Sequence, residues 1–252
     1  MDRRVALILE YYRGLPKDRA KIETRYHGFA FLEGLLAGGT TLEYGELTLS
    51  GLLHKYKLSN LSAERMTQLL RAHVDKEFNV CLYFHDQANS LFCFNLDNNH
   101  KFDNTVLIPE MVAAVGFLSD LLGGLGCAPL VLASGRGYHL WVRLDAPVDN
   151  DRLYAFMIRA AAKTAAALEA RGLQHNRIKI NLYPDRRIRD IVSLRLFGTE
   201  HAKNRIFSHV WTPAGLLDEG ASWEQFENHL GSKSLAVQAF EKAYAAMLAS
   251  IS

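Results

Sequence analysis

The run Ser134-Gly135-Arg136-Gly137-Tyr138-His139 brings a hydroxyl, a guanidinium and an imidazole together around two glycines. Glycines let the chain reverse tightly and leave backbone N–H groups exposed at the turn. Every one of those groups can donate a hydrogen bond, and the arginine adds a charged fork, which suits the oxygens of a phosphate chain. An ordinary hairpin with a polar tip uses the same residue types. Two charged residues in apolar surroundings also stand out. Asp97 ends an apolar run, where an unpaired carboxylate is costly, so a metal or another cationic partner is expected. Arg195, inside a second apolar run, needs an anionic partner: a phosphate, Asp185 or Asp190.

The elements that must position these groups are readable from spacing and punctuation. The glycine turn lies between apolar stretches Leu130-Val131-Leu132 and Leu140-Trp141-Val142-Arg143-Leu144, which predicts strand, turn, strand. Upstream, residues 2–12 form an amphipathic helix stopped near Gly14-Leu15-Pro16, and Phe29 to Leu36 a short helix stopped by Gly38-Gly39. A third helix runs from Ala63 to about Ala72 with Ser62 as its N-cap. Asn79 to Phe84 reads as a strand that turns at 85–89 and pairs with Leu91 to Leu96. Pro109 to Leu122 and Asn150 to Arg171 read as helices, and Ile178–Leu182, Ile191–Leu196 and Ile206–Trp211 as further strands. Ser222–Leu230 and Ser234–Ile251 close the chain as helices. The expected organisation is a mainly helical accessory region over 1–75, a core over 76–215 and packed helices over 216–252. Two β-α-β passes with added strands imply an α+β fold with an antiparallel or mixed sheet and helices on one face.

Composition bounds the class. The chain has 252 residues, 49% of them hydrophobic, which is ample for a buried core and argues against disorder. A net charge of +2 does not by itself argue for nucleic acid. Between Arg171 and Arg205, however, bases including Arg186, Arg187 and Arg189 outnumber the acids Asp185, Asp190 and Glu200, a stripe suited to a polyanion or to a solvated surface. Cys81, Cys93 and Cys127 lack paired spacing, so buried thiols in a reducing, cytoplasmic setting are expected and zinc is not. No apolar stretch is long enough to span a membrane, and the N-terminal helix is not a signal peptide. His73, His175 and His209 read as structural.

The Ser-Gly-x-Gly-x-His turn followed by an apolar strand resembles the second motif of the archaeo-eukaryotic primase superfamily, which includes primase small subunits and primase-polymerases. That resemblance implies that Ser134 and His139 contact the phosphates of an incoming nucleotide. The family's first motif is an apolar strand ending in Asp-x-Asp. In Ser90 to Asp97, Asp97 takes the second acidic position and Asn95 the first. Val192 to Lys203 resembles the late Arg-Leu-Pro-Gly-Ser-x-His-x-Lys segment, so the resemblance spans about Phe78 to Phe207. The third acidic position falls on Asn181 in branches with a Glu-x-Phe-Pro pattern, and on Asp185 or Asp190 in others.

What the resemblance implies is a template-directed nucleotidyltransferase with an RRM-like core, in which a primer 3′-hydroxyl attacks the α-phosphate in line. Mg²⁺ or Mn²⁺ would sit on Asp97 and Asp185, with Asn95 and Asn181 as weak ligands in the catalytic set. Ser134, Arg136, His139, Arg195, His201 and Lys203 would seat a nucleoside triphosphate, and Arg186, Arg187 and Arg189 would contact nucleic acid. Partners would be single-stranded DNA template and primer, with a helicase or another replication or defence protein. Amide oxygens are poor magnesium ligands, so asparagine at two acidic positions opens three readings. They are a non-catalytic relative that still binds nucleotide or nucleic acid, a site rebuilt around Asp97 and Asp185, and a protein deliberately substituted at those positions.

Overall fold

The computed structural model describes residues 2–24, 33–34, 36, 39–47, 54–99, 108–185, 193–202 and 204–249. The chain divides into two units, Met1–His85 with Ile191–Ser208, and Asp86–Asp190 with His209–Ser252. Each has its own sheet, all named strand pairs are antiparallel, and the described residues include six α-helices: an α+β fold, as expected.

In the first unit, five strands lie in the order β2-β3-β1-β4-β9. They are β1 (Ala20–Thr24), β2 (Thr41–Leu47), β3 (His54–Ser59), β4 (Asn79–Tyr83) and β9 (Ser193–Arg195). Helices α1 (Arg3–Tyr11) and α2 (Ala63–Val74) pack together. Both open on side-chain caps that satisfy orphan backbone donors. The Asp2 carboxylate accepts from Arg4 N at 2.8 Å, and the Ser62 hydroxyl from Arg65 N at 3.2 Å. Ser62→Ala is expected to cost about 1 kcal/mol in a denaturant titration. An unchanged midpoint would show that tertiary packing alone holds that end.

Among the described residues of the first 75, the strands β1, β2 and β3 stand beside the helices, where a mainly helical region was expected. Ala-Lys-Ile-Glu-Thr alternates with period two, burying Ala20, Ile22 and Thr24. Such short runs become strands only once partnered, and the partners of β1 are β3 and the more distant β4. The helix expected at Phe29–Leu36 falls largely outside the described residues. The expected β4–β5 hairpin does not form either. Strand β4 is buried along its whole length, with β1 on one edge and β9 on the other, so neither edge is open to β5. For the same reason Ser193–Arg195 belongs to this sheet and not to the one carrying the glycine turn.

The second unit's sheet has the order β11-β10-β6-β7-β5-β8. Its strands are β5 (Ala88–Asn98), β6 (Leu130–Ala133), β7 (Gly137–Asp149), β8 (Ile178–Tyr183), β10 (His209–Thr212) and β11 (Gly215–Leu216). Helices α3 (Pro109–Gly123), α4 (Asn150–Ala170) and α6 (Val237–Ala249) bury their apolar sides against Phe92, Phe94 and Leu96 of β5 and Leu140 and Val142 of β7. Each such side chain contributes about 1.5–3 kcal/mol by leaving water. Helix α5 (Glu219–Leu230) is tied to β7 by Arg143, whose Nη2 donates to the carbonyls of Leu230 and Ser232, each at 2.9 Å. Because side chains alternate along a strand, the residues between those core positions point to the opposite face. That face carries Asn95, Asp97, His139 and Asn181. No helix among the described residues is long and apolar enough to cross a membrane.

Candidate functional site

The predicted turn is present, and its two glycines have separate physical reasons. Ser134 N–H donates to Gly137 O at 2.7 Å, closing the reversal, while Gly135 sits at φ +87° in the left-handed region. Gly137 is required by proximity. A Cβ there would lie 1.8 Å from the Leu96 carbonyl oxygen and 2.9 Å from its carbon, so β7 can approach β5 only without a side chain. Ser134 and His139 are buried beside this turn, and Arg136 is exposed at its tip.

Strand register assembles the rest. On one rung Leu132, His139, Asn95 and Asn181 lie side by side across β6, β7, β5 and β8. The next rung on that face reads Gly137, Asp97, Lys179. The Asp97 carboxylate, partly buried, accepts from Asn181 Nδ2 at 2.9 Å and from Asn95 Nδ2 at 3.3 Å through the same oxygen, Oδ2. A carboxylate offers only acceptors, so it dictates that both amides present nitrogen to it. Burial raises the Asp97 pKa above the ordinary aspartate value. The charges of Arg136 and Lys179, then the two amide bonds, oppose that rise without cancelling it. Asn95 Oδ1 is left buried and without a hydrogen-bond partner.

Lys179 falls within the basic stretch between Arg171 and Arg205 and is distinguished from the rest of it by its place opposite Asp97. The signal was available: Lys179 and Asn181 alternate on β8, so any register placing Asn181 beside Asn95 also places Lys179 beside Asp97.

Among the described residues this donor set does not fit a two-ion centre. Such a centre needs several charged oxygens converging on shared cations, and the strand face described carries Asp97, already engaged by two amide N–H groups. Among the described residues no group of three His, Cys, Asp or Glu side chains could hold a metal ion. Nor does the β5–β8 pairing extend to Asp185. Tyr183 already lies opposite Cys93, four residues from Asp97 and roughly 13 Å along the strand, and Asp185 follows beyond the Tyr183–Pro184 bond.

The late-segment residues belong to the first unit. Arg195 on β9 lies opposite Cys81 on β4, which lies opposite Lys21 on β1. Arg195 is buried, and desolvation lowers its guanidinium to about 10, so it remains a cation at neutral pH. Among the described residues, the charge of the Glu23 carboxylate supports it; Asp190, considered from sequence, lies outside them. Glu23 is also paired with Lys21 at 3.1 Å. His201 sits in a tight reversal, with its N–H donating to Ile206 O at 2.7 Å and its carbonyl accepting from Arg205 N at 2.9 Å. It lines a small mixed-charge cleft with Lys76, Asn79, Glu200 and Arg205, where Glu200 pairs with Arg205 at 2.5 Å and with Lys76 at 3.8 Å. Lys203, Arg186, Arg187, Arg189 and Asp190 lie outside the described residues.

No protein-family model matches the chain, and no curated protein sequence matches it. Among solved structures the chain is similar to the polymerase domain of Mycobacterium tuberculosis Ligase D in complex with DNA. The two are 15% identical with a TM-score of 0.50, and the match covers 97% of this chain and 86% of the other. At that identity the likeness establishes a polymerase-domain fold; site chemistry must be argued from this chain's own residues.

Proposed function

We propose that this protein is a nucleotide-binding member of the primase-polymerase type that does not polymerise. The observation that carries the reading is the state of Asp97, a lone carboxylate held by the amides of Asn181 and Asn95 with Lys179 opposite. The glycine turn beside it carries residue types suited to phosphates, Ser134 and His139, with the exposed Arg136 at the tip. Polymerisation needs carboxylate-held divalent ions on the attacking and leaving oxygens, and Asp97 is the expected carboxylate that strand pairing puts on this face. The polymerase-domain fold, and the DNA bound by the similar structure, support a nucleic-acid partner for the same protein, with Arg186, Arg187 and Arg189 as candidate backbone contacts.

A second reading, an active template-directed nucleotidyltransferase using Mg²⁺ or Mn²⁺, is favoured by one observation. Asn95 Oδ1 is a buried acceptor without a partner, which a cation could satisfy. The two readings part in one assay containing single-stranded template, labelled nucleotides and Mn²⁺, with and without primer. The expected result is measurable nucleotide binding and no new strand. Strands that disappear in Asp97→Ala would establish the polymerase and end the non-polymerising reading.

A further inference from the structure

The face built by β5, β7 and β8 carries the opposite charge balance from a metal-centred polymerase. A centre with three carboxylates is strongly anionic and accepts a triphosphate only after cations have been bound. Here two of the three positions are neutral amides, and each spends its N–H on Asp97. Lys179 stands directly across from Asp97 on the adjoining strand, and Arg136 precedes Gly137, which faces Asp97 from the other side. Both cations have exposed side chains, so they can reach a ligand lying on this face. One carboxylate and two permanent cations leave a net positive charge beside the glycine turn.

We infer that Lys179 and Arg136 replace divalent ions as the counter-charge for bound phosphates, so that this face takes a nucleoside triphosphate without Mg²⁺ or Mn²⁺. The inference rests on the nucleotide-binding reading above and adds how the same site handles charge. Two consequences separate it from ordinary nucleotide binding. Free triphosphate carries two more negative charges than its magnesium complex, so chelation should strengthen binding or leave it unchanged. Phosphates alone should also suffice, so inorganic tripolyphosphate should compete.

The test is a titration of the full chain with a fluorescent ATP analogue at fixed ionic strength in EDTA, in Mg²⁺ and in Mn²⁺. Affinity in EDTA is expected to equal or exceed that in either metal, with tripolyphosphate displacing the probe. Lys179→Gln and Arg136→Gln should each weaken binding about tenfold and flatten its salt dependence. Asn95→Asp with Asn181→Asp should lower affinity in EDTA at least tenfold or so, and Mg²⁺ should restore it. Binding by the unsubstituted protein that collapses in EDTA overturns the inference and leaves the nucleotide reading standing. Silence under all three conditions removes that reading and the inference with it.

Discussion

Gly137→Ala is expected to lower the unfolding free energy by about 3 kcal/mol and to abolish nucleotide binding. The added Cβ would sit 1.8 Å from the Leu96 carbonyl oxygen, well inside any tolerable contact. Because the obstruction is backbone, no rotamer change relieves it; β5 and β7 must part. Separation there breaks the rung on which Gly137 faces Asp97 and shifts the turn that Ser134 closes onto the Gly137 carbonyl. Gly116, inside α3, provides the contrast. A Cβ at that position meets nothing within 4 Å, so Gly116→Ala should stabilise the protein by about 0.5–1 kcal/mol through helix propensity. Denaturant titrations of the two variants in parallel decide the point. A Gly137→Ala midpoint that does not fall would contradict the steric account.

Acidification from pH 6.5 to 4 should remove roughly 3 kcal/mol of stability through His73 alone. This imidazole is fully buried in the first unit, where Nδ1 accepts from Val80 N–H at 2.9 Å and Nε2 donates to Phe197 O at 3.0 Å. It thus joins α2 to β4 and to the segment after β9 as a neutral tautomer. Desolvation pulls its pKa down to about 4, with the Phe197 carbonyl opposing and Arg195 assisting. The sign follows directly. Below pH 6.5 the unfolded chain takes up a proton that the folded chain refuses until about pH 4, so stability falls as pH falls through that window. The contribution is complete above the unfolded value and gone below the folded one. His73→Leu should lose about 1–3 kcal/mol at pH 7, because a buried N–H and a carbonyl lose their partner, and should show a correspondingly shallower acid slope. Equal slopes in the two proteins would assign acid sensitivity to the carboxylates instead.

Features with a local cause were legible in the sequence. The glycine turn, Ser62 as a cap, the proline that opens α3 and Gly172 after α4 each follow from backbone conformations or orphan donors within a few residues. The alternation that puts Asn95 and Asp97 on one face is likewise local, and so is the pairing of the glycine hairpin, whose turn sets its register.

What no local signal carries is which strands become neighbours. Asn79–Tyr83 looked ready to pair with the next strand, yet its two edges are taken by residues 20–23 and 193–195. Asp97 asked for a cation, and register answered with Lys179 and the amide of Asn181 from a strand far away in sequence, beside the amide of Asn95 on its own strand. The paired part of that distant strand ends at Tyr183, before Asp185. Arg195 asked for an anion and received Glu23. The amino-acid sequence by itself determined the turn, the caps and the faces of the strands, because each depends on residue type and short spacing. Only the tertiary structure decided which partners those groups meet, because long-range antiparallel register is set by burial of whole faces and not by any one residue.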